Sequence, residues 1–197
     1  MSALRRIVLV RHGETDGESS VRFHGASDVA LSAKGSDQMR RVTAALGAER
    51  FDRVVASPLR RSWQSAWIAA RGLPVSLESD FREVHFGRWE GLTREEIQDS
   101  DPVLYDDWQS GAEGFEYPGG EARAAFRGRV ERGLERLLAS DARSVLVVAH
   151  KGVIRAITAK LTGEAPGRDE PALGGSIELT RDADGSWFRG RHSSNPT

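Results

Sequence analysis

Two segments place an imidazole beside a cation and a glycine directly after a run of branched apolar residues. Arg11-His12-Gly13-Glu14-Thr15 follows Ile7-Val8-Leu9-Val10, and His150-Lys151-Gly152 follows Val145-Leu146-Val147-Val148-Ala149. These residue types suit the handling of a phosphate-like anion: a guanidinium fork meets two oxygens at once, and glycine lets backbone N–H groups come close to a ligand. Either histidine alone reads most simply as a satisfied structural imidazole. At the C-terminal ends of two parallel strands, however, both would open onto one crevice. Two imidazoles so placed can divide the labour, one attacking phosphorus while the other polarises the phosphoryl group.

A third segment, Ser57-Pro58-Leu59-Arg60-Arg61-Ser62, follows another apolar run and enters a helical stretch, with Pro58 at a first-turn position. Adjacent helical residues point about 100° apart, so at most one of Arg60 and Arg61 faces the crevice. A carboxylate is offered by the aromatic, glycine-broken stretch Phe81 to Gly91, where Glu83 and Glu90 are equal candidates by spacing. A partly buried carboxyl has a raised pKa and can give up a proton near neutrality.

The elements that must position these groups are legible from periodicity. Ile7–Val10, Phe51–Ala56 and Ser144–Ala149 read as buried strands. Ser32–Leu46, Pro58–Arg71 and Val153–Thr162 read as helices closed by Gly47, Gly72 and Gly163. Thr93 and Glu96 have capping-box spacing, so a helix starts at Arg94. Glu121–Ala139 is amphipathic, with Phe126, Val130, Leu134, Leu137 and Leu138 on one face. Ser176–Thr180 and Trp187–Arg189, around the turn Asp182–Gly185, form a hairpin. The alternation predicts an α/β three-layer sandwich: a mostly parallel central sheet, helices on both faces, one domain over 1–197 and a small cap insertion over about 92–120. Ser100 to Gly120 shows no regular period and is expected to lie over the strand ends, and the tail His192–Thr197 to fray. Trp89, Tyr105, Trp108, Phe115 and Tyr117, in or beside that cap, either stack on a ligand or form a small core of their own.

Composition bounds the partners. Among 197 residues, 28 Lys+Arg oppose 29 Asp+Glu for a formal charge of −1, which argues against a nucleic-acid or membrane-surface binder. The absence of cysteine removes disulfides, thiolate nucleophiles, iron–sulfur clusters and Cys-ligated zinc. The apolar run ending at Arg11 is too short for a signal peptide or a membrane span. A soluble, cytoplasmic protein is the expectation. Oligomeric state is not readable, and a homodimer is compatible with the sequence.

Taken in order, these motifs closely resemble the histidine phosphatase superfamily, the branch that includes cofactor-dependent phosphoglycerate mutases. The resemblance runs through Arg11–Thr15, Arg22-Phe23-His24-Gly25, Asp28–Gly35 with Gln38, Ser57–Ala66, Glu83 with Phe86–Gly91, Pro118–Glu121 and Val147–Arg155. It implies that His12 is the nucleophile forming a phosphohistidine, that Arg11, Arg61 and His150 complete the phosphate pocket, and that Glu83 is the general acid. It implies neither metal nor organic cofactor, since fixed guanidinium groups, a second imidazolium and a helix N-terminus stabilise the charge spread over the transferring phosphoryl group. Arg22, His24, Gly25, Lys151 and Gly152 join Arg11 and Arg61 as expected substrate contacts.

The chain departs from the family's habits at three positions. Glu18 stands where the family often has asparagine, and a carboxylate there would repel substrate unless paired with an arginine or turned outward. His24 replaces a threonine or glutamine and is expected to face the substrate. Lys151 replaces a glycine and either adds a cation at the rim or points to solvent. Glu14 is expected to orient an arginine or histidine rather than to act as the acid.

The implied activity is a phosphomonoesterase acting on small phosphorylated metabolites. A phosphoglycerate mutase is the alternative, disfavoured because Ser100–Gly120 lacks any lysine or arginine and carries Asp101, Asp106, Asp107, Glu113 and Glu116. A non-catalytic phospho-ligand binder is the alternative of another class, disfavoured because His12, His150, Arg11 and Arg61 are all present.

Overall fold

The computed structural model describes residues 4–190, so the tail His192–Thr197 lies outside the described residues. In chain order the elements are β1 (Arg6–Arg11), α1 (Ala33–Ala45), β2 (Arg53–Ala56), α2 (Arg60–Ala69), β3 (Val75–Leu77), α3 (Arg94–Ser100), α4 (Pro102–Ser110), α5 (Arg123–Leu138), β4 (Ser144–Ala149), α6 (Lys151–Thr162), β5 (Ser176–Arg181) and β6 (Trp187–Arg189). The six strands make one sheet in the order β3-β2-β4-β1-β5-β6. β3, β2, β4 and β1 run parallel, and the β5–β6 hairpin closes one edge antiparallel. This is the mostly parallel α/β sheet that alternating strands and helices predict.

The central strands are apolar on both faces because both faces are covered. Ile7, Leu9, Val145 and Val147 pack with Phe126, Val130 and Leu134 of α5 and Val153, Ile154 and Ile157 of α6. Their neighbours Val8, Val10, Leu146 and Val148 point the other way, onto Met39 and Val42 of α1 and Ala66 and Ala69 of α2. The period of two along each strand thus distributes its residues between two cores.

Several boundaries differ from expectation, each for a local reason. α2 begins at Arg60, with Leu59 as N-cap, so Pro58 stands ahead of the helix and not in its first turn. α6 begins at Lys151 with His150 as N-cap, two residues before the apolar stripe starts. The segment expected to be irregular contains α4, which has proline in its first turn and Gly111 after it at φ 72°. That proline-first, glycine-last pair was a usable signal. β3 leaves no periodic signal in the sequence because it is a three-residue strand at the sheet edge. Thr93 and Glu96 do form the capping box of α3.

Candidate active site

The sheet register sets the two imidazoles side by side. Arg11 of β1 pairs with Ala149 of β4, so the next residue on each strand, His12 and His150, leaves the sheet at the same level. Their ring centroids are 5.1 Å apart at 62°. The His12 ring is held by a hydrogen bond of 2.7 Å between Nδ1 and the Gly13 carbonyl. A carbonyl only accepts, so Nδ1 carries the hydrogen and Nε2 keeps its lone pair. His150 is fully buried and its Nε2 shares a 2.8 Å hydrogen bond with Ser57 Oγ, at the end of β2. Its Nδ1 has no hydrogen-bond partner among the described residues. Burial, then the positive charge of Arg61, keeps both imidazoles well below the ordinary histidine pKa, with Arg11 adding to the effect. Both rings are neutral at physiological pH.

α2 returns an arginine to this point. Arg61 is fully buried, and its Nε donates to His12 Nε2 at 3.3 Å. The other guanidinium nitrogens donate to the carbonyls of Ser27 at 2.7 Å, His24 at 2.9 Å and Gly25 at 2.7 Å. Burial lowers the Arg61 pKa to about 10, which still leaves it charged at neutrality. Arg60 is exposed, and its backbone N–H caps onto Asp28. The loop that accepts from Arg61 is itself pinned by Glu90, whose carboxylate accepts from the N–H groups of Gly25, Ala26, Ser27 and Phe86. Burial raises the Glu90 pKa, but the donors, Ser27 foremost, outweigh it and hold the carboxylate below its usual range.

Glu83 stands where Glu90 does not, in the wall of the cavity. One oxygen accepts from its neighbour Val84 N–H at 3.0 Å and the other from Gly152 N–H at 3.0 Å. Gly152 is therefore the seat of Glu83. A Cβ at 152 would collide with Glu83 Oε1, which explains the glycine. The α6 N–H expected to greet substrate is instead engaged by this carboxylate.

The cavity has a volume of about 710 Å³ and reaches Arg11, His12, Glu83 and Lys151. Arg61 and His150 lie beneath His12 and contribute no wall of their own. Arg11 donates from Nη1 to the Pro171 carbonyl at 3.1 Å, and its Nε has no partner among the described residues. Arg22 lines the cavity and is held by the Gly91 carbonyl and by Glu96. His24 also lines it, with its Nε2 on the Gly17 carbonyl. Gly25 sits behind the wall, where a Cβ would strike the Val84 carbonyl, and it serves Arg61 through its own carbonyl.

Two expectations change, those for Gly13 and Glu14, and Glu18 meets the condition set for it. Gly13 gives no backbone donor to the cavity: its N–H donates to Ser65 Oγ at 3.2 Å, and its missing Cβ makes room for Gly35 of α1. Glu14 orients neither arginine nor histidine but gathers the following loop, accepting from Thr15, Ser19 and Ser20. Glu18 pairs with Arg22 at 3.6 Å and turns outward with its side chain 70% exposed, so it does not face a substrate.

The segment Ser100–Gly120 is not acidic where it meets the cavity. Asp101 is turned to Arg88 and Trp89, and Glu116 accepts from the Arg123 N–H. The cavity's outer wall carries Arg94, Arg123, Arg155 and Arg168, supplied by elements outside Ser100–Gly120. Trp89, Tyr105 and Phe115 form a small buried core with Ile97, whereas Trp108 faces the cavity beneath the Arg168 guanidinium, 4.5 Å from its ring. Arg155 was detectable as the residue four along the helix from Lys151. Arg168 lies in a loop and left no signal.

This geometry agrees with what comparison finds. The model of the histidine phosphatase superfamily (branch 1) matches residues 7–179. Glucosyl-3-phosphoglycerate phosphatase of Mycobacterium tuberculosis is 34% identical over 182 residues, 87% of this chain and 81% of that protein. Adenosylcobalamin/alpha-ribazole phosphatase of Salmonella typhimurium is 33% identical over 159 residues, 79% of each chain. The crystal structure of a putative alpha-ribazole-5'-P phosphatase from Escherichia coli superposes with a TM-score of 0.81 at 27% identity, covering 98% of this chain and 97% of that one. A family match that spans nearly every strand, together with relatives at this identity and coverage, settles the affiliation: the chain belongs to the histidine phosphatase superfamily.

Proposed function

We propose that the protein is a phosphomonoesterase that hydrolyses small phosphorylated metabolites through a phosphohistidine on His12. The observation that carries this reading is the state of the His12 ring. Nδ1 donates to the Gly13 carbonyl, so Nε2 carries no hydrogen and its lone pair accepts from Arg61 Nε at 3.3 Å. A neutral nucleophile beside a fixed cation is what attack on a phosphate dianion requires. Substrate oxygens take over the Arg61 N–H as the phosphoryl group arrives, and Arg11 Nε and His150 Nδ1, unpartnered among the described residues, supply further donors.

In the first step His12 Nε2 forms a bond to phosphorus while the ester P–O bond breaks in line, and the leaving oxygen takes the proton of Glu83. In the second, Glu83 as carboxylate takes a proton from water, the water oxygen bonds to phosphorus, and the P–N bond breaks to restore His12. Covalent capture divides the hydrolysis into two lower barriers. No step in this scheme calls on a metal ion, because the guanidinium charges of Arg11 and Arg61, with the His150 imidazole as a neutral donor, offset the charge on the phosphoryl oxygens.

Hydrolysis is supported by the relatives, which are named as phosphatases, and not by cap acidity, because arginines ring the cavity. The test is phosphate release across a panel of metabolite monoesters with chelator present, against His12→Ala. The expected result is release by the native chain, none by the variant, and an acid-labile phosphoenzyme on rapid mixing with labelled substrate. Conversion of 3-phosphoglycerate to 2-phosphoglycerate faster than phosphate release would establish a mutase instead.

A further inference from the structure

Glu83 sits on backbone that no α-helix or strand secures. It lies just beyond a single 3-10 turn at Ser79–Phe81, in an irregular stretch that lasts until Gly87. Backbone of this kind leaves carbonyls for side chains or water to satisfy. The seat on the Val84 and Gly152 N–H groups fixes the carboxylate oxygens but not the main chain behind them.

One side chain of α5 secures that main chain. Arg129 Nη1 donates to the carbonyls of Asp80 at 2.8 Å and Arg82 at 2.6 Å, and Nη2 donates to that of Glu83 at 2.9 Å. Nε and Nη2 grip the Glu121 carboxylate at 2.7 and 2.8 Å, a two-pronged pair. These bonds engage every N–H of the guanidinium, so none remains for a substrate, and Arg129 stands outside the cavity wall. Glu121 offsets the charge of Arg129, so the cation acts through position and not as a counter-ion to Glu83. Glu121 also holds the far end of the stretch, where its N–H donates to the His85 carbonyl at 2.9 Å.

Two glycines let these elements come so close. A Cβ at Gly120 would lie 2.4 Å from the His85 carbonyl oxygen. One at Gly133, a turn along α5 from Arg129, would lie 2.7 Å from the Phe81 ring, which is fully buried in that notch. Pro118–Glu121 does not line the cavity, and the grip on Glu83 gives that stretch its task.

We propose that Arg129 is a positioning residue for proton transfer: with Glu121 it clamps the backbone from Asp80 to His85, so that the Glu83 carboxyl meets the leaving oxygen. This rests on the reading of Glu83 as the general acid and adds to it the device that holds the acid in place.

The test compares steady-state hydrolysis of propyl phosphate with that of 4-nitrophenyl phosphate, whose leaving group needs no proton. Arg129→Gln is expected to lower kcat for propyl phosphate by about 10²-fold, the loss usual for a misplacement of about 1 Å. KM should be unchanged, and 4-nitrophenyl phosphate should keep most of its rate. Arg129→Lys should not restore the loss, because an ammonium cannot serve three carbonyls and a carboxylate together. In Glu83→Gln/Arg129→Gln the second substitution is expected to add no further loss, since no proton remains to be placed. A merely loosened fold would slow both substrates and would multiply with Glu83→Gln. Glu121→Gln leaves the guanidinium on its three carbonyls, so it should give a smaller loss of the same selectivity and serves if Arg129→Gln does not fold. Equal slowing of the two substrates, losses that multiply in the double variant, full rate in Arg129→Gln or recovery in Arg129→Lys overturns the clamp. Glu83→Gln is measured alongside. If it alone is selective, the clamp falls and the acid stands. If it too is unselective, the general-acid assignment falls and takes the clamp with it.

Discussion

Arg61 Nε donates to His12 Nε2 across 3.3 Å, joining the first turn of α2 to the end of β1. One side chain thereby does two jobs. It holds the hydrogen-free nitrogen of the proposed nucleophile, and it closes the carbonyls of His24, Gly25 and Ser27 into a single loop.

Removing Arg61 should therefore cost both rate and stability. Arg61→Ala is expected to lower kcat by about 10²–10³, the magnitude usual for one charge-stabilising donor, and to lower Tm because three carbonyls lose their donor. Arg61→Lys should recover little, since an ammonium cannot reproduce the fork. Steady-state kinetics and thermal denaturation of both variants check this, and full activity in the lysine variant would remove the fork from the account.

Glu83 and its seat make a paired prediction. Glu83→Gln is expected to slow alkyl phosphates by about 10²–10³ while leaving 4-nitrophenyl phosphate much less affected, because nitrophenolate leaves without a proton. Gly152→Ala should reproduce that pattern with Glu83 itself unchanged, because a Cβ at 152 displaces its carboxylate from the place of Oε1. Equal slowing of both substrate types in Glu83→Gln would exclude proton donation.

The neutral histidines predict a pH profile. In the proposed reaction His12 acts unprotonated, and burial holds its pKa well below 6.5, so activity should persist as pH falls through 6.5. Stability should behave differently. Unfolded histidines take up protons below about 6.5 while His12 and His150 in the folded chain do not, so stability declines as pH drops from there. The slope expected from two such groups is about 2.7 kcal/mol per pH unit once the unfolded rings are fully protonated. Denaturant titrations between pH 7 and 5 would show it, and His150→Asn should roughly halve it.

Glu90 should prove structural at a distance from the chemistry. Glu90→Ala removes the acceptor of four backbone N–H groups, from Gly25, Ala26, Ser27 and Phe86, and so loosens the loop that seats Arg61. A loss of about 2–4 kcal/mol in stability is expected, with kcat reduced and leaving-group dependence unchanged. Its carboxylate lies below 4.5, so this contribution is present above that pH and is lost as pH falls through its folded value. A Glu90 variant that behaved like Glu83→Gln towards leaving groups would reverse the two assignments.

Much of this protein is written locally. Runs of branched apolar residues can be buried only as central strands, and the glycine and proline positions and the capping box mark where helices end or begin, so the layered sheet follows from periodicity. The types gathered at the strand ends, His12, His150, Arg11 and the Arg60-Arg61 pair, were visible as phosphate chemistry before any coordinates. Local pattern does not carry distance between segments. Spacing could not separate Glu83, which the Gly152 N–H seats in the cavity wall, from Glu90, which a loop of N–H groups surrounds away from it, and resemblance alone favoured one. Nor could it foresee that Gly13 makes way for Gly35, or that Arg94, Lys151, Arg155 and Arg168 from separate stretches meet over one cavity. Those relations are set by the register of β1 on β4 and by the packing of separate segments around one cavity. They exist only once distant residues share a wall, where burial and charge act through space rather than along the chain.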